Sequence, residues 1–414
     1  MNGHMPSSIR SRRVAPLLLL SIVGVASSAL ARGVEWERRL PPDPGPTRAT
    51  GRASAVFEPG AGWAVAWPQR PRPELERQLQ LGTADTLERE QLRDRLRAAP
   101  RTRTIRVTER GALRWEGGTG SAVTRLLASP EGGAVALGRR VVQRPSRSVE
   151  ATLSATGTRR PWQVTLSSDA RFVEGEDAAV VGDALVVAGA FRGSLRLPGG
   201  PRWSTPGRGH FAAAFALEDG ALRWARELPG SFGAVRIAAD GAGRLLLAGR
   251  EEGGRAGVRL WRLDEAGELL GSVGWETLEG ATPVRLRGFR EGWALQVRGP
   301  AGEPDRLLGV GPDATLRWER VLEEGAELVV GPPGAVVQLL EPRLASGPQG
   351  AWLEGVRLLG VDAGGRERIS ERLRRRWRAG SVAAHVSAGR LALTGIGRSG
   401  PELVSFGRVR VPVD

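Results

Sequence analysis

Histidine is the side chain best suited to moving protons near neutral pH, and the 414 residues hold three, His4, His210 and His385. The last two lie far apart in the chain, and with no cysteine there is no Cys/His spacing that could hold a metal ion. Each is read as a structural histidine in a strand or loop. The sequence contains no G-x-S-x-G elbow, no phosphate-cradling glycine loop and no EF-hand. Acidic side chains number 45, so a carboxylate pair assembled from distant segments stays open as a catalytic device, but nothing singles one out.

A second kind of chemistry is offered by Arg372-Leu373-Arg374-Arg375-Arg376-Trp377-Arg378. Guanidiniums around an exposed indole can hold an anionic head group or an acidic glycan by charge and cation–π attraction. Arg374, Arg375, Arg376, Trp377 and Arg378 are therefore the partner-binding candidates. The competing reading is a solvated edge strand whose charges discourage sheet-to-sheet association.

Composition narrows the classes. Lysine is absent, so all 60 basic residues are arginine, and the formal charge is +15. Arginine in place of lysine, with abundant Ala, Gly and Pro, reflects codon bias as much as function, yet a basic surface still attracts anions. Residues 1–31 read as a secretory signal peptide: Arg10, Arg12 and Arg13, an apolar run from Val14 to Val25, then Ala29-Leu30-Ala31 before the cleavage point. The alternative is a retained anchor, since Val14 to Ala31 just reaches the length needed to cross a bilayer. Export makes nucleic acid the least suitable partner for the positive charge. The lack of cysteine removes disulfides and lipid attachment at a processed cysteine. The only asparagine is Asn2, inside the leader, so the mature chain has no N-glycosylation site.

The elements that must position any site follow from a repeat. Gly111-Ala112-Leu113-Arg114-Trp115 recurs as Gly220-Ala221-Leu222-Arg223-Trp224, with Thr315-Leu316-Arg317-Trp318 a third copy and Gly267-Glu268-Leu269-Leu270-Gly271 a degenerate one. Leu222, Leu269 and Leu316 stand 47 residues apart, the period of a four-stranded propeller blade. Weaker copies are Val34 to Leu40, Pro161 to Val164 and Arg366 to Leu373. Between them run hairpins such as Ala234 to Ile237 and Leu245 to Gly249, whose partners end at Gly138, Gly189, Gly299 and Gly395. Trp115, Trp224 and Trp318 are expected to pack between blades. Pro73 to Ala99 interrupts the repeat, and Leu87, Leu92 and Leu96 suggest a helix after Asp85, stopped by Pro100.

The stretch Ala214 to Trp224, with its Ala-Leu-Glu-Asp-Gly…Trp order, resembles the repeat of PQQ-like β-propellers. That resemblance implies either a quinone-dependent dehydrogenase, whose adjacent cysteines and calcium-binding acids are not found here, or the non-catalytic branch that assists outer-membrane protein assembly. The branch's usual lipid anchor is not available to a chain without cysteine.

The expectation is thus an all-β chain, with residues 32–414 forming a β-propeller of about seven four-stranded blades and residues 73–99 a short helical insertion. The function expected is an exported, non-catalytic binding scaffold, periplasmic or secreted, for a protein or glycan partner of the cell envelope. It needs no cofactor and no membrane span after signal cleavage. A propeller-type hydrolase or lyase working at the central funnel is the alternative. The two chain ends should close the ring together, with Val34 to Leu40 completing the last blade.

Overall fold

In the computed structural model, the described residues are 36–39, 47–49 and most of 53–408; residues 1–35, most of 72–101, 409–414, several short loops and the side chains of 323–360 lie outside the description. Strands dominate. Among the described residues they form seven consecutive blades, each an antiparallel meander whose neighbours are mostly joined by short turns, the long connections being 72–101 in blade 1 and 341–355 in blade 6.

Blade 1 begins with Ser54–Glu58, blade 2 with Ala122–Ala128, blade 3 with Phe172–Val181 and blade 4 with Phe232–Ala239. Thr282–Phe289, Glu327–Gly331 and Ala383–Ser387 open blades 5, 6 and 7. These first strands line the axis, and each lies against the first strand of the next blade, with blade 7 returning to blade 1. The ring is closed.

Closure uses both ends of the chain, as the sequence suggested. Trp36–Arg39 is the fourth strand of blade 7 and pairs antiparallel with Gly400–Arg408, Trp36 opposite Ser405 and Arg39 opposite Glu402. An edge that an open ring would expose is thereby covered.

The blades whose side chains are described bury both faces, which is why the second strand reads as an unbroken apolar run. In Leu245–Glu251, Leu245 and Leu247 pack toward blade 3, while Leu246 and Ala248 pack toward blade 5. Blade 3 meets blade 4 with small residues, Ala188, Ala212 and Ala214, and blade 4 answers with Trp261, Leu247 and Ile237. Small opposite large fills the wedge between radiating sheets without voids. Burying each such leucine contributes about 1.5–3 kcal/mol.

The fourth strands carry the repeat, and their register is constant. Trp115 is opposite Arg106, Trp224 opposite Ala214 and Trp318 opposite Gly309, and in each blade a one-residue irregularity follows immediately. Gly271 and Ile369 occupy the same position in blades 4 and 6. The indoles reach across blades: Trp162 Nε1–H donates to the Leu217 carbonyl at 2.7 Å, and Trp224 Nε1–H to that of Glu265 at 2.8 Å. Trp318 covers Gly365 of blade 6, so Trp224 and Trp318 have the inter-blade role expected of them; the side chain of Trp115 lies outside the description.

Blade 3 departs from the pattern. Its second and third strands, Ala184–Arg196 and Arg202–Ala216, run past the sheet, and Leu195 and Arg196 pair with Ser168 and Ser167 of blade 2. Blades 2 and 3 thus share one continuous sheet. Of the 73–99 insertion, Arg77, Gln78, Glu90 and Gln91 are described, and all four are helical and exposed. The rest of that expected helix, and the expected signal peptide at residues 1–31, lie outside the described residues.

Candidate functional site

The first strands do more than line the axis. Along them, a side chain of one blade repeatedly bonds the backbone of the next. Ser54 Oγ of blade 1 accepts the Leu126 N–H of blade 2 at 2.8 Å. Glu176 and Asp177 of blade 3 accept the Val235 and Ile237 N–H groups of blade 4 at 2.6 and 3.3 Å. Arg236 of blade 4 donates from Nε to the Val284 carbonyl of blade 5 at 2.8 Å, and His385 Nδ1 of blade 7 accepts the Ala55 N–H of blade 1 at 3.3 Å. First strands of adjacent blades do not pair as a ladder, so these side chains satisfy backbone groups that would otherwise be left bare.

A bulge makes the densest of these contacts. In blade 3, Gly175 is opposite Gly189 and Asp177 opposite Ala188, which leaves Glu176 as an extra residue. Successive strand residues ordinarily face opposite ways, and the bulge re-aims one of them. Both carboxylates therefore serve blade 4.

Arginines surround those acids. Arg125 of blade 2 is ion-paired with Asp177, and Arg287 of blade 5 approaches the same carboxylate at 4.0 Å. Glu176 is bridged by Arg208 at 2.6 Å and Arg236 at 3.6 Å. Burial raises the Glu176 carboxyl above its ordinary range, against the opposing pull of the Val235 N–H and the two arginines. Arg125 is held well below the usual guanidinium value, first by burial and then by the like charges of Arg287, Arg285 and Arg236. Burial also pushes Arg236 down, with Arg285 adding to the effect.

His385 faces the same field. Burial, then Arg285 and Arg287, lower its pKa to about 3, so the ring is neutral at physiological pH. With Nδ1 accepting from Ala55, Nε2 carries the proton and donates to Thr394 Oγ1 at 2.8 Å. Nδ1 ties blade 7 to blade 1 and Nε2 anchors the ring within blade 7, which is the structural role read from the sequence. His210 is fully buried in the third strand of blade 3, between Ala190 and Leu228 on the flanking strands. Among the described residues no group of His, Asp and Glu has the arrangement of a metal site.

The basic run takes a different form from the one expected. Trp377 is fully buried, donates from Nε1 to Glu402 Oε2 at 3.2 Å, and packs against Gly395. It lies on a short strand, Trp377–Arg378, that pairs with Gly350–Leu353 outside the blades, and its indole is buried against blade 7 instead of exposed; the run around it supplied no sign of this, because a single tryptophan among arginines has no periodicity to read. Arg378 is half-buried beside it, and Arg374, Arg375 and Arg376 lie outside the described residues. Sequence reasoning also passed over the axial acids and arginines, since they are spread over four blades, 2 to 5. The bulge at Gly175-Glu176-Asp177 is the one local signal that pointed there.

Exposed apolar groups mark a second surface. Leu269, Leu270 and Val273 on the fourth strand of blade 4, and Leu316 and Val321 on that of blade 5, are open to solvent, Val321 by 65% and Leu270 by 55%. Both are outer strands with one edge unpaired.

These features define the class: an all-β, seven-bladed propeller with an arginine-rich axis. No family model and no curated protein matches the chain. Among solved structures, BamB from Moraxella catarrhalis matches with a TM-score of 0.39 at 13% identity, over 73% of this chain and 78% of BamB. A quinonprotein alcohol dehydrogenase-like protein from Bacteroides thetaiotaomicron gives 0.43 at 8%, over 82% and 68%. BBS1N in complex with ARL6DN gives 0.49 at 10%, over 92% and 98%. The likeness is one of fold alone.

Proposed function

We propose that this chain is an exported, non-catalytic propeller scaffold, periplasmic or secreted, that holds a protein partner in the cell envelope through the outer strands of blades 4 and 5. The observation that carries the reading is the placement of the exposed apolar residues. Leu269, Leu270, Val273, Leu316 and Val321 fall on two consecutive outer strands, while the two other outer strands whose side chains are described, Trp162–Ser168 and Leu222–Leu228, expose no large apolar residue. Surface apolar groups scattered singly need no explanation, but a concentration beside unpaired strand edges suits an extended segment that adds backbone bonds and side-chain contacts together. The engagement of Glu176, Asp177 and His385 in inter-blade bonds supports a binding role over a catalytic one.

Arg374, Arg375, Arg376 and Arg378 are proposed as a second contact, for an acidic glycan or protein segment. Purified mature protein, immobilised and exposed to envelope extract with cross-linking, is the test. Wild type should retain a discrete partner that a Leu269→Ser/Leu270→Ser/Val273→Ser variant of normal melting temperature loses. Retention of the same partner by that variant would exclude the outer strands. A wild type that turns over a glycan or alcohol would replace the scaffold by the enzyme reading.

A further inference from the structure

We propose that the outer strand of blade 4, Leu269–Trp275, takes up an extended segment of a partner protein as a fifth strand, and that this segment is apolar along its middle and carries arginine or lysine at both ends. The inference rests on the proposed scaffold function and names the chemistry of what that surface holds.

Charge along the seven outer strands sets blade 4 apart. Those of blades 1, 3, 5, 6 and 7 are Leu113–Thr119, Leu222–Leu228, Leu316–Val321, Glu367–Leu373 and Trp36–Arg39, and each carries two or more charged side chains. Charges on an outer strand discourage the addition of another. Only Trp162–Ser168 of blade 2 and Leu269–Trp275 of blade 4 have none. Blade 2 does not leave that edge wholly open, since Leu195 and Arg196 of blade 3 pair antiparallel with Ser168 and Ser167. Blade 4 ends at Leu269–Trp275, with no further strand beside it among the described residues. The fold thus provides its own example of an uncharged outer edge receiving a strand, and leaves a second such edge for a strand from elsewhere.

The strand is built for close approach. Gly271 and Gly274 interrupt it, and glycine within a strand suits the near passage of another backbone. Leu269, Leu270 and Val273 are exposed along the same seven residues, so an incoming segment gains apolar contacts together with backbone bonds.

Charge also selects the occupant. From Leu263 to Val284 the chain has five acids, Asp264, Glu265, Glu268, Glu276 and Glu279, and no arginine, although arginines outnumber acids 60 to 45 over the whole sequence. Asp264 is spent on the turn, where it accepts the Glu268 N–H at 2.7 Å. The four glutamates are exposed, two before the strand and two after it. Glu268 is ion-paired with Arg226 of blade 3. Arg259 and Arg262 lie one strand further in, opposite Gly274 and Gly271, and Arg259 is held by Glu251 at 3.1 Å. Acid therefore stands at both ends of an apolar edge. A second copy of the chain is a poor match: two such strands paired antiparallel about Ser272 would set Glu268 of each opposite Glu276 of the other, and like charges directly opposite are destabilising. A segment with a cation at each end finds its complement in either direction.

The test uses the mature chain and three labelled peptides, each matching in length the nine residues from Glu268 to Glu276. All alternate valine and threonine; one has an arginine at each end, one a glutamate at each end, and the third is the arginine peptide with a central proline, which interrupts a strand ladder. Fluorescence anisotropy should show saturable binding of the arginine peptide, about tenfold or more tighter than of the other two and weakening with salt. Glu265→Gln/Glu268→Gln/Glu276→Gln/Glu279→Gln should weaken it by about tenfold or more, and Ser272→Lys, which charges the edge as in the other blades, should do the same. Glu218→Gln, an exposed acid of blade 3, should not. Selective binding of the arginine peptide supports the strand site even where the envelope extract yields no partner, so the two readings fail separately. An extract partner lost with Leu269→Ser/Leu270→Ser/Val273→Ser but kept by Ser272→Lys and by the glutamine variant would leave the scaffold standing and overturn the basic strand. Wild type that binds the three peptides alike, or none of them, overturns it as well. A wild-type dimer that Ser272→Lys converts to monomer would assign the edge to a second copy instead.

Discussion

Trp224, on the outer strand of blade 3, donates to the Glu265 carbonyl of blade 4 at 2.8 Å and covers Gly267 so closely that a Cβ there would fall 2.5 Å from the indole. Gly267 has φ +78°. Trp162 over Gly220 and Trp318 over Gly365 repeat the arrangement, with corresponding distances of 2.7 and 2.8 Å. The glycine of each turn is thus matched to the indole of the preceding blade. Blade 4 has Gly271 at the indole position, and blade 5 has Ala314 at the turn, the one described non-glycine residue with positive φ, at 65°. Without an indole above it, a methyl group fits.

This pairing yields opposite outcomes for two similar substitutions. Gly267→Ala should destabilise by about 2–4 kcal/mol, combining left-handed strain with overpacking against Trp224. Ala314→Gly, which relieves strain while adding freedom to the unfolded chain, should change stability by less than about 1 kcal/mol. Urea denaturation of both variants decides the matter, and equal costs would refute the match of indole to glycine.

Ring closure by the two ends predicts strong dependence on a short segment. Deleting residues 33–41 removes Trp36–Arg39 and exposes the edge of Gly400–Arg408. The melting temperature should fall steeply and the protein should tend to associate through that edge. A deletion variant that melts as wild type does would mean the strand adds nothing to blade 7.

His385 makes stability depend on pH. Its folded pKa of about 3 lies below the ordinary unfolded value near 6.5. Above about pH 6.5 the ring is neutral in both states and adds no pH dependence. As pH falls from 6.5 toward 3 the unfolded chain takes up a proton that the folded one refuses, so stability drops by roughly 1.4 kcal/mol per pH unit. Chemical denaturation of wild type and His385→Gln at pH 7, 5.5 and 4.5 should show a shallower acid decline in the variant. Parallel declines would place the titration elsewhere.

Asp177 and Arg125 form a coupled pair. Asp177→Asn should cost about 3–5 kcal/mol, because it leaves Arg125 buried among like charges without its counter-ion. Arg125→Met in the same chain should recover much of that loss. A double-mutant cycle measures the coupling, and simple additivity of the two changes would show that the pair is not an energetic unit.

The proposed export predicts a defined mature start. The protein recovered from the periplasm or medium should begin at Arg32, following Ala29-Leu30-Ala31. N-terminal sequencing reads this directly, and an intact Met1 in membrane fractions would identify the segment as an anchor.

The sequence by itself determined the propeller, because a blade is a local object. The 47-residue spacing of Leu222, Leu269 and Leu316, the turn before each Leu-x-Trp strand and the apolar hairpins between them all lie within one repeat, where strand and turn periodicities are legible. Even the lesion in blade 4, Gly271 in place of tryptophan, stood in the text, although its match with Ala314 required knowing which turn each indole covers. The axial site was decided only by the tertiary structure. Arg125, Asp177, Arg236 and Arg287 belong to four different blades, and side chains so far apart in sequence meet only once the ring has closed. Trp377 makes the same point in reverse: among arginines it reads as surface, yet Gly395 and Glu402 from neighbouring strands of blade 7 enclose it. Burial is a property of what packs against a residue, and a lone residue without periodicity carries no record of those neighbours.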